Sequence, residues 1–203
     1  VKKRKSAWDS TAWSNRKAKP PSDSSDSIAI CAAEFGWFFH GLQVMSEVCA
    51  YHEAGHAVMA HLCGARVHFV TIDPEWDDEA LRHDGEIEVE WPVGKLTDRM
   101  LIEASIQVSL AGPAAEMIHT GEPYHPAFVK EWSLDWAKAW SLAGEIAKDE
   151  QMRLRLLEKT TREVYQYLAR NDIWQGLASL VDELLAHEHM EGAEVHEVLS
   201  NWL

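Results

Sequence analysis

His52, Glu53 and His56 stand in the string Ala50-Tyr51-His52-Glu53-Ala54-Gly55-His56-Ala57, an H-E-x-x-H arrangement inside an apolar, helix-forming stretch. Histidines four apart lie on one face of an α-helix, so both imidazoles can reach a single ion, and zinc (Zn²⁺) is the metal this donor pair favours. Glu53 is rotated by roughly 100° around that helix, away from the ligand face but within reach of water beside the ion. This is the general-base position of a zinc peptidase. Eleven histidines in 203 residues give by chance about 0.6 H-x-x-x-H pairs, and about 0.06 once Glu must follow the first His. The flanks Val48-Cys49-Ala50-Tyr51 and Ala57-Val58-Met59-Ala60 are apolar, which predicts a buried helix, and buried imidazoles need a partner such as a metal.

A catalytic zinc site takes three protein ligands and keeps one position open. By chemistry the third is to be sought among Glu103, Glu116, His119, His125, Glu131 and Asp135, and spacing does not choose among them. His187, His189 and His196 near the C-terminus offer a second histidine group, for which exposed helix positions are the simpler reading.

The elements that must position these groups are mostly helical. After the motif helix Gly64 supplies a stop, and the β-branched run Val67 to Ile72 ends at Asp73-Pro74. Glu86-Ile87-Glu88-Val89-Glu90-Trp91 alternates strictly, placing Ile87, Val89 and Trp91 on a packed face and three glutamates toward water. The two runs are expected to pair across an acidic loop from Glu75 to Gly85, either as a strand edge near the site that accepts an extended peptide or as a small structural hairpin. From Thr97 onward the pattern is helical. Thr97 can cap a nearly wholly apolar helix that Gly112-Pro113 should kink or restart. Ser133 can cap the next helix, with Asp135 in its first turn and Trp132, Trp136 and Trp140 as a packed stripe. Further helices are expected over about 151–169, 173–187 and 194–202, with Leu177, Leu180, Val181, Leu184 and Leu185 as a seam.

Composition sets limits. A formal net charge of −14 disfavours a general nucleic-acid binder, since phosphate backbones select basic faces. Cys31, Cys49 and Cys63 form no paired framework, which fits a reducing, cytoplasmic compartment. Three parts are expected: a basic, Ser-rich disordered tail over 1–27, an apolar helical extension over 28–47, and the domain proper over 48–203. The extension is interrupted by Glu34, His40 and Gln43, so it suits a docked or interfacial helix, compatible with peripheral membrane association, better than a span. Because the first residue is Val, a longer protein upstream is expected.

Ala50 to Ala57 resembles, almost letter for letter, the zinc-binding segment of the FtsH-type ATP-dependent zinc proteases. Val67 to Ile72 is similar to the strand that follows in that family, Leu110-Ala111-Gly112-Pro113-Ala114-Ala115-Glu116 to its L-G-G-R-A-A-E segment, and Leu134-Asp135-Trp136-Ala137-Lys138-Ala139 to its N-D-x-x-x-A segment. Leu180 to Leu199 resembles its closing helices, so collinear likeness runs from Val48 to the end. The resemblance implies a mainly α (α+β) fold: a helical zinc metallopeptidase domain with a small β-sheet or hairpin beside the active-site helix. It also implies Asp135 as third zinc ligand with His52 and His56, Glu53 as the catalytic base, unfolded or flexible polypeptide substrates, and a homo-oligomer, hexameric by family likeness. Its members are fed by an attached AAA ATPase. This sequence has no G-x-x-x-x-G-K-[ST] phosphate loop, so it does not bind ATP by that mechanism, and an AAA ATPase on a separate chain is a possible partner. Pro113 stands where the family has arginine, and Leu134 where it has asparagine. These departures leave a second expectation beside the peptidase, a proteolytically silent zinc-binding interaction or regulatory domain, and a third, a helical protein without metal.

Overall fold

The computed structural model describes residues 33–73, 75–77, 80–83, 85–94 and 96–203. The tail over 1–27, the first residues of the extension, Cys31 and Pro74 lie outside them. The chain is mainly helical with a small antiparallel sheet beside the motif helix.

Helix α1 (Ala33–Leu62) carries the H-E-x-x-H string in its second half and runs unbroken across residue 48. Ala50, Ala54, Ala57, Val58 and Ala60 are fully buried, so this half is enclosed on nearly every side, as an apolar circumference requires. Its end is built by Gly64 at φ 80°. The Ala65 amide donates to the Ala60 carbonyl at 2.9 Å and the Gly64 amide to that of His61 at 3.0 Å, the paired closure that a left-handed residue permits.

Strand β1 (Arg66–Thr71) follows at once. A two-stranded hairpin, β2 (Glu75–Asp77) and β3 (Ala80–His83), replaces the loop expected between the two long runs. These strands are too short to show alternation. Strand β4 (Glu86–Glu90) pairs antiparallel with β1 as expected, with a bulge between Val67 and Phe69. The other edge of β1 takes β5 (His189–Glu191), giving the order β4-β1-β5.

Helix α2 (Asp98–Thr120) is capped by Thr97, whose hydroxyl accepts from the Met100 amide, and it continues through Gly112-Pro113 without restarting. A short 3-10 turn over Pro126–Phe128 leads to α3 (Ser133–Ile146), α4 (Glu150–Leu168), α5 (Asn171–His187) and α6 (Gly192–Ser200). The N-cap of α3 is Trp132 with no side-chain cap, not Ser133 as expected, which is the first helical residue. Leu177, Leu180, Val181 and Leu184 form the buried seam of α5, whereas Leu185 is 40 % exposed.

Two cores result. One joins α1, the sheet, α5 and α6; the other joins Ile106 and Leu110 of α2 to Ala139, Ala143 and Leu157 of α3 and α4. Helix α4 also gives Val164 and Leu168 to the first core, and helix α2 belongs to both. The histidines lie where its shared face crosses α1 and meets the start of α3.

Candidate metal centre

The crossing of α1 and α2 is close because small residues meet there. A Cβ on Gly55 would lie 2.6 Å from the Ala111 carbonyl oxygen and 2.7 Å from the Ala115 Cβ. The next turn of contact belongs to the site. A Cβ on Gly112 would sit 2.7 Å from His52 Nε2, and closer still to His56 Nε2. The space beside both nitrogens therefore exists because residue 112 has no side chain.

Asp135, in the first turn of α3, completes the cluster. Its Oδ2 is 2.9 Å from His52 Nε2, its Oδ1 is 3.4 Å from His56 Nε2, and the two Nε2 atoms are 3.0 Å apart. Among the described residues, His52, His56 and Asp135 form a group able to hold a metal ion, with ligand atoms within 4.8 Å of one another. Neighbouring ligand atoms on one tetrahedral ion with bonds of about 2.0–2.1 Å lie roughly 3.3 Å apart. The three separations, with Asp135 using one oxygen toward each histidine, fall close to or slightly below that spacing, and two imidazoles with one carboxylate is a donor set suited to zinc.

The outer ring nitrogens are fixed by groups behind them. His56 Nδ1 donates to the Val108 carbonyl at 2.6 Å; a carbonyl only accepts, so in the neutral ring the lone pair is on Nε2, which faces the cluster. His52 Nδ1 donates to Glu116 Oε1 at 2.5 Å. The same oxygen accepts from Trp132 Nε1 at 2.7 Å. Val108, Gly112 and Glu116 are spaced four apart, so one stripe of α2 supplies an acceptor for each histidine and the space between them. Trp132, one of the expected packed tryptophans, is buried and also anchors Glu116 from the start of α3. Such partners hold a ligand's tautomer and ring orientation. Glu116→Gln should therefore weaken zinc binding by about 10- to 100-fold with the fold intact; competition against a chelator of known affinity measures it.

Glu53 is 7 % exposed. Gly85, just before β4, covers it: a Cβ there would lie 2.7 Å from Glu53 Cγ and 2.9 Å from Cys49 Sγ. The sheet thus reaches the motif helix at the proposed base.

Charge in the metal-free site follows from this geometry. Burial opposes protonation of His52, but hydrogen bonds to Asp135 and Glu116 and the nearby charges of Glu53 and Asp135 override it, raising its pKa from 6.5 to about 10. Burial likewise opposes ionisation of Asp135, yet the two facing imidazoles hold its carboxyl well below the usual carboxylate range. A raised histidine pKa means the bound proton stabilises the metal-free fold fully below pH 6.5, and that contribution is lost as pH rises through about 10. A metal ion must displace this proton from Nε2. Apparent zinc affinity should then rise by about tenfold per pH unit between pH 7 and 9, with release of about one proton per ion. Calorimetric titration in buffers of different ionisation enthalpy reads both.

The other candidate ligands are elsewhere. Glu103 pairs with Arg99 at 2.9 Å, Glu131 is exposed, and His125 Nδ1 accepts from the Ala127 amide at 3.1 Å. His119 stacks on Tyr51 with ring centroids 3.9 Å apart. His187 and His189 pair with Glu183 and Glu191, and His196 faces His61. Leu134 is 75 % exposed, so the residue beside Asp135 points away from the cluster. Pro113 is buried inside the unbroken α2. Neither departure from the FtsH-type pattern disturbs the three ligand atoms.

No family model matches this chain, and no curated protein matches its sequence. No helix among the described residues is long and apolar enough to cross a membrane.

Proposed function

We propose that the chain is a zinc metalloendopeptidase of the FtsH-type kind, acting on unfolded or flexible polypeptides and served by an ATPase on a separate chain. The observation that carries this reading is the convergence of His52, His56 and Asp135 with a buried Glu53 one position from the first ligand. His52 and His56 Nε2 and an Asp135 carboxylate oxygen would hold the zinc. When bound, zinc supplies Lewis acidity, polarising a peptide carbonyl and bringing the pKa of water to about 7.

The remaining work falls to protein groups. Glu116 and the Val108 carbonyl keep both Nδ1 atoms protonated, so both Nε2 lone pairs would be available to an ion once the His52 proton is displaced. The Glu53 carboxylate accepts a proton from the attacking water and passes it to the leaving amine nitrogen. Gly85 against Glu53 Cγ restricts the carboxylate's side-chain freedom and keeps bulk water from that side. Cytoplasmic location and assembly into homo-hexameric rings belong to the same reading. The test is cleavage of a denatured protein by zinc-loaded chain, abolished by chelation and restored by zinc. Full zinc loading with no cleavage would instead support the silent zinc-binding domain.

A further inference from the structure

Strand β4 begins one residue after the glycine that covers Glu53, and it is the outermost strand of its sheet. Among the described residues no strand pairs with its outer edge. An edge of this kind offers unpaired amides and carbonyls to an extended chain. The side chains beside the edge are unusual. Glu86, Glu88 and Glu90 alternate with Ile87 and Val89 and are all exposed. Glu90 has His68 Nε2 at 3.2 Å and lies opposite Arg66 in the ladder. Glu86 and Glu88 lie opposite Thr71 and Phe69 and have no ion-pair partner among the described residues. On the same face Phe69 is followed across the sheet by Glu191 of β5, so one cross-strand row reads Glu88, Phe69, Glu191.

We infer that Glu86 and Glu88 make β4 a selector for cationic polypeptide segments, with Lys or Arg at alternate positions of a strand added along its outer edge. The inference rests on the peptidase reading and names its substrate class. Side chains of an added strand share the period of two, so every second residue stands beside Glu86 or Glu88 while the intervening ones face the other side. Opposite charges directly across strands are favourable and like charges are not, so an acidic segment is excluded by the same pair of residues.

The test uses Glu53→Gln protein loaded with zinc, which retains substrate without cutting it, and fluorescent peptides of alternating Lys and Val or alternating Glu and Val. The Lys peptide should bind about tenfold more tightly, with the difference shrinking in high salt. Glu86→Lys/Glu88→Lys should reverse the order, and the milder Glu86→Gln/Glu88→Gln should level it without refolding the edge. Equal binding of both peptides, binding of neither, or a preference that survives both double substitutions would overturn the inference. Cleavage of a denatured protein by the parent chain is scored separately. Cleavage without charge preference removes only the selector, whereas charge-selective binding without cleavage removes only the peptidase.

Discussion

Glu53→Gln should lower cleavage of an unfolded polypeptide by about 10²- to 10⁴-fold while leaving zinc content and thermal stability close to those of the parent. The substitution is nearly isosteric, so the packing of Gly85 against Glu53 Cγ and Cys49 Sγ persists. Glu53 is not placed among the three ligand atoms, and the histidines keep their partners Glu116 and Val108. What changes is proton chemistry. An amide cannot take a proton from water at neutral pH, and an amide NH₂ in the same place donates where a carboxylate would accept. Loss of Glu53 charge also removes one of the groups that favour the His52 proton in the metal-free site. Zinc competes with that proton, so the variant should load zinc at least as readily as the parent. Three measurements on one preparation decide the matter: zinc per chain, melting temperature, and turnover of a denatured substrate. Full turnover with Gln at 53 would remove the carboxylate from the mechanism.

Much of this arrangement was legible in the residues, and the exceptions have physical causes. The motif helix, β1, β4 and the seam of α5 announce themselves because burial on one or all faces imposes a period. The sheet's third strand does not. β5 is three residues long, His189–Glu191, and its place beside β1 depends on tertiary contacts: Glu188 at φ 60° and its carbonyl accepting from the Ile72 amide at 2.8 Å. Gly192 then packs against the Val67 carbonyl, where no Cβ could fit. Ser133 looked like a cap from residue type alone, but the turn after Phe128 enters α3 one residue earlier. Among six chemically reasonable third ligands, residue type could not separate Asp135 from Glu116, since both are carboxylates on helices. The structure brings both to His52, one at each ring nitrogen. Only Asp135 also approaches His56. The resemblance of Leu134 to Ala139 to the N-D-x-x-x-A segment implies the same aspartate, because a matched segment carries the relation between α1 and α3 that local periodicity lacks.

Gly112→Ala should cost more than its single methyl suggests. In an exposed helix the change would stabilise by removing glycine's backbone freedom, by about 0.5–1 kcal/mol. Here the added carbon meets His52 Nε2 at 2.7 Å and Cδ2 at 2.8 Å, with His56 Nε2 nearer still. Overpacking of this kind costs typically about 1–3 kcal/mol, enough to reverse the sign. Relief by helix separation is opposed one turn away, where Gly55 seats against Ala111 and Ala115. Relief by rotating the imidazoles would break the bonds to Glu116 and Val108 that hold their tautomers. Either route moves the Nε2 atoms out of line with Asp135. Zinc affinity should therefore fall by on the order of a hundredfold, since ring orientation alone is worth about 10- to 100-fold. Gly55→Ala serves as the comparison: it strains the same helix crossing without placing an atom beside the ligand nitrogens, so it should lower the melting temperature with a smaller loss of zinc. Equal zinc losses in the two variants would mean that helix spacing alone sets the site. Unchanged zinc binding in Gly112→Ala would mean that the ion does not occupy the space this glycine leaves.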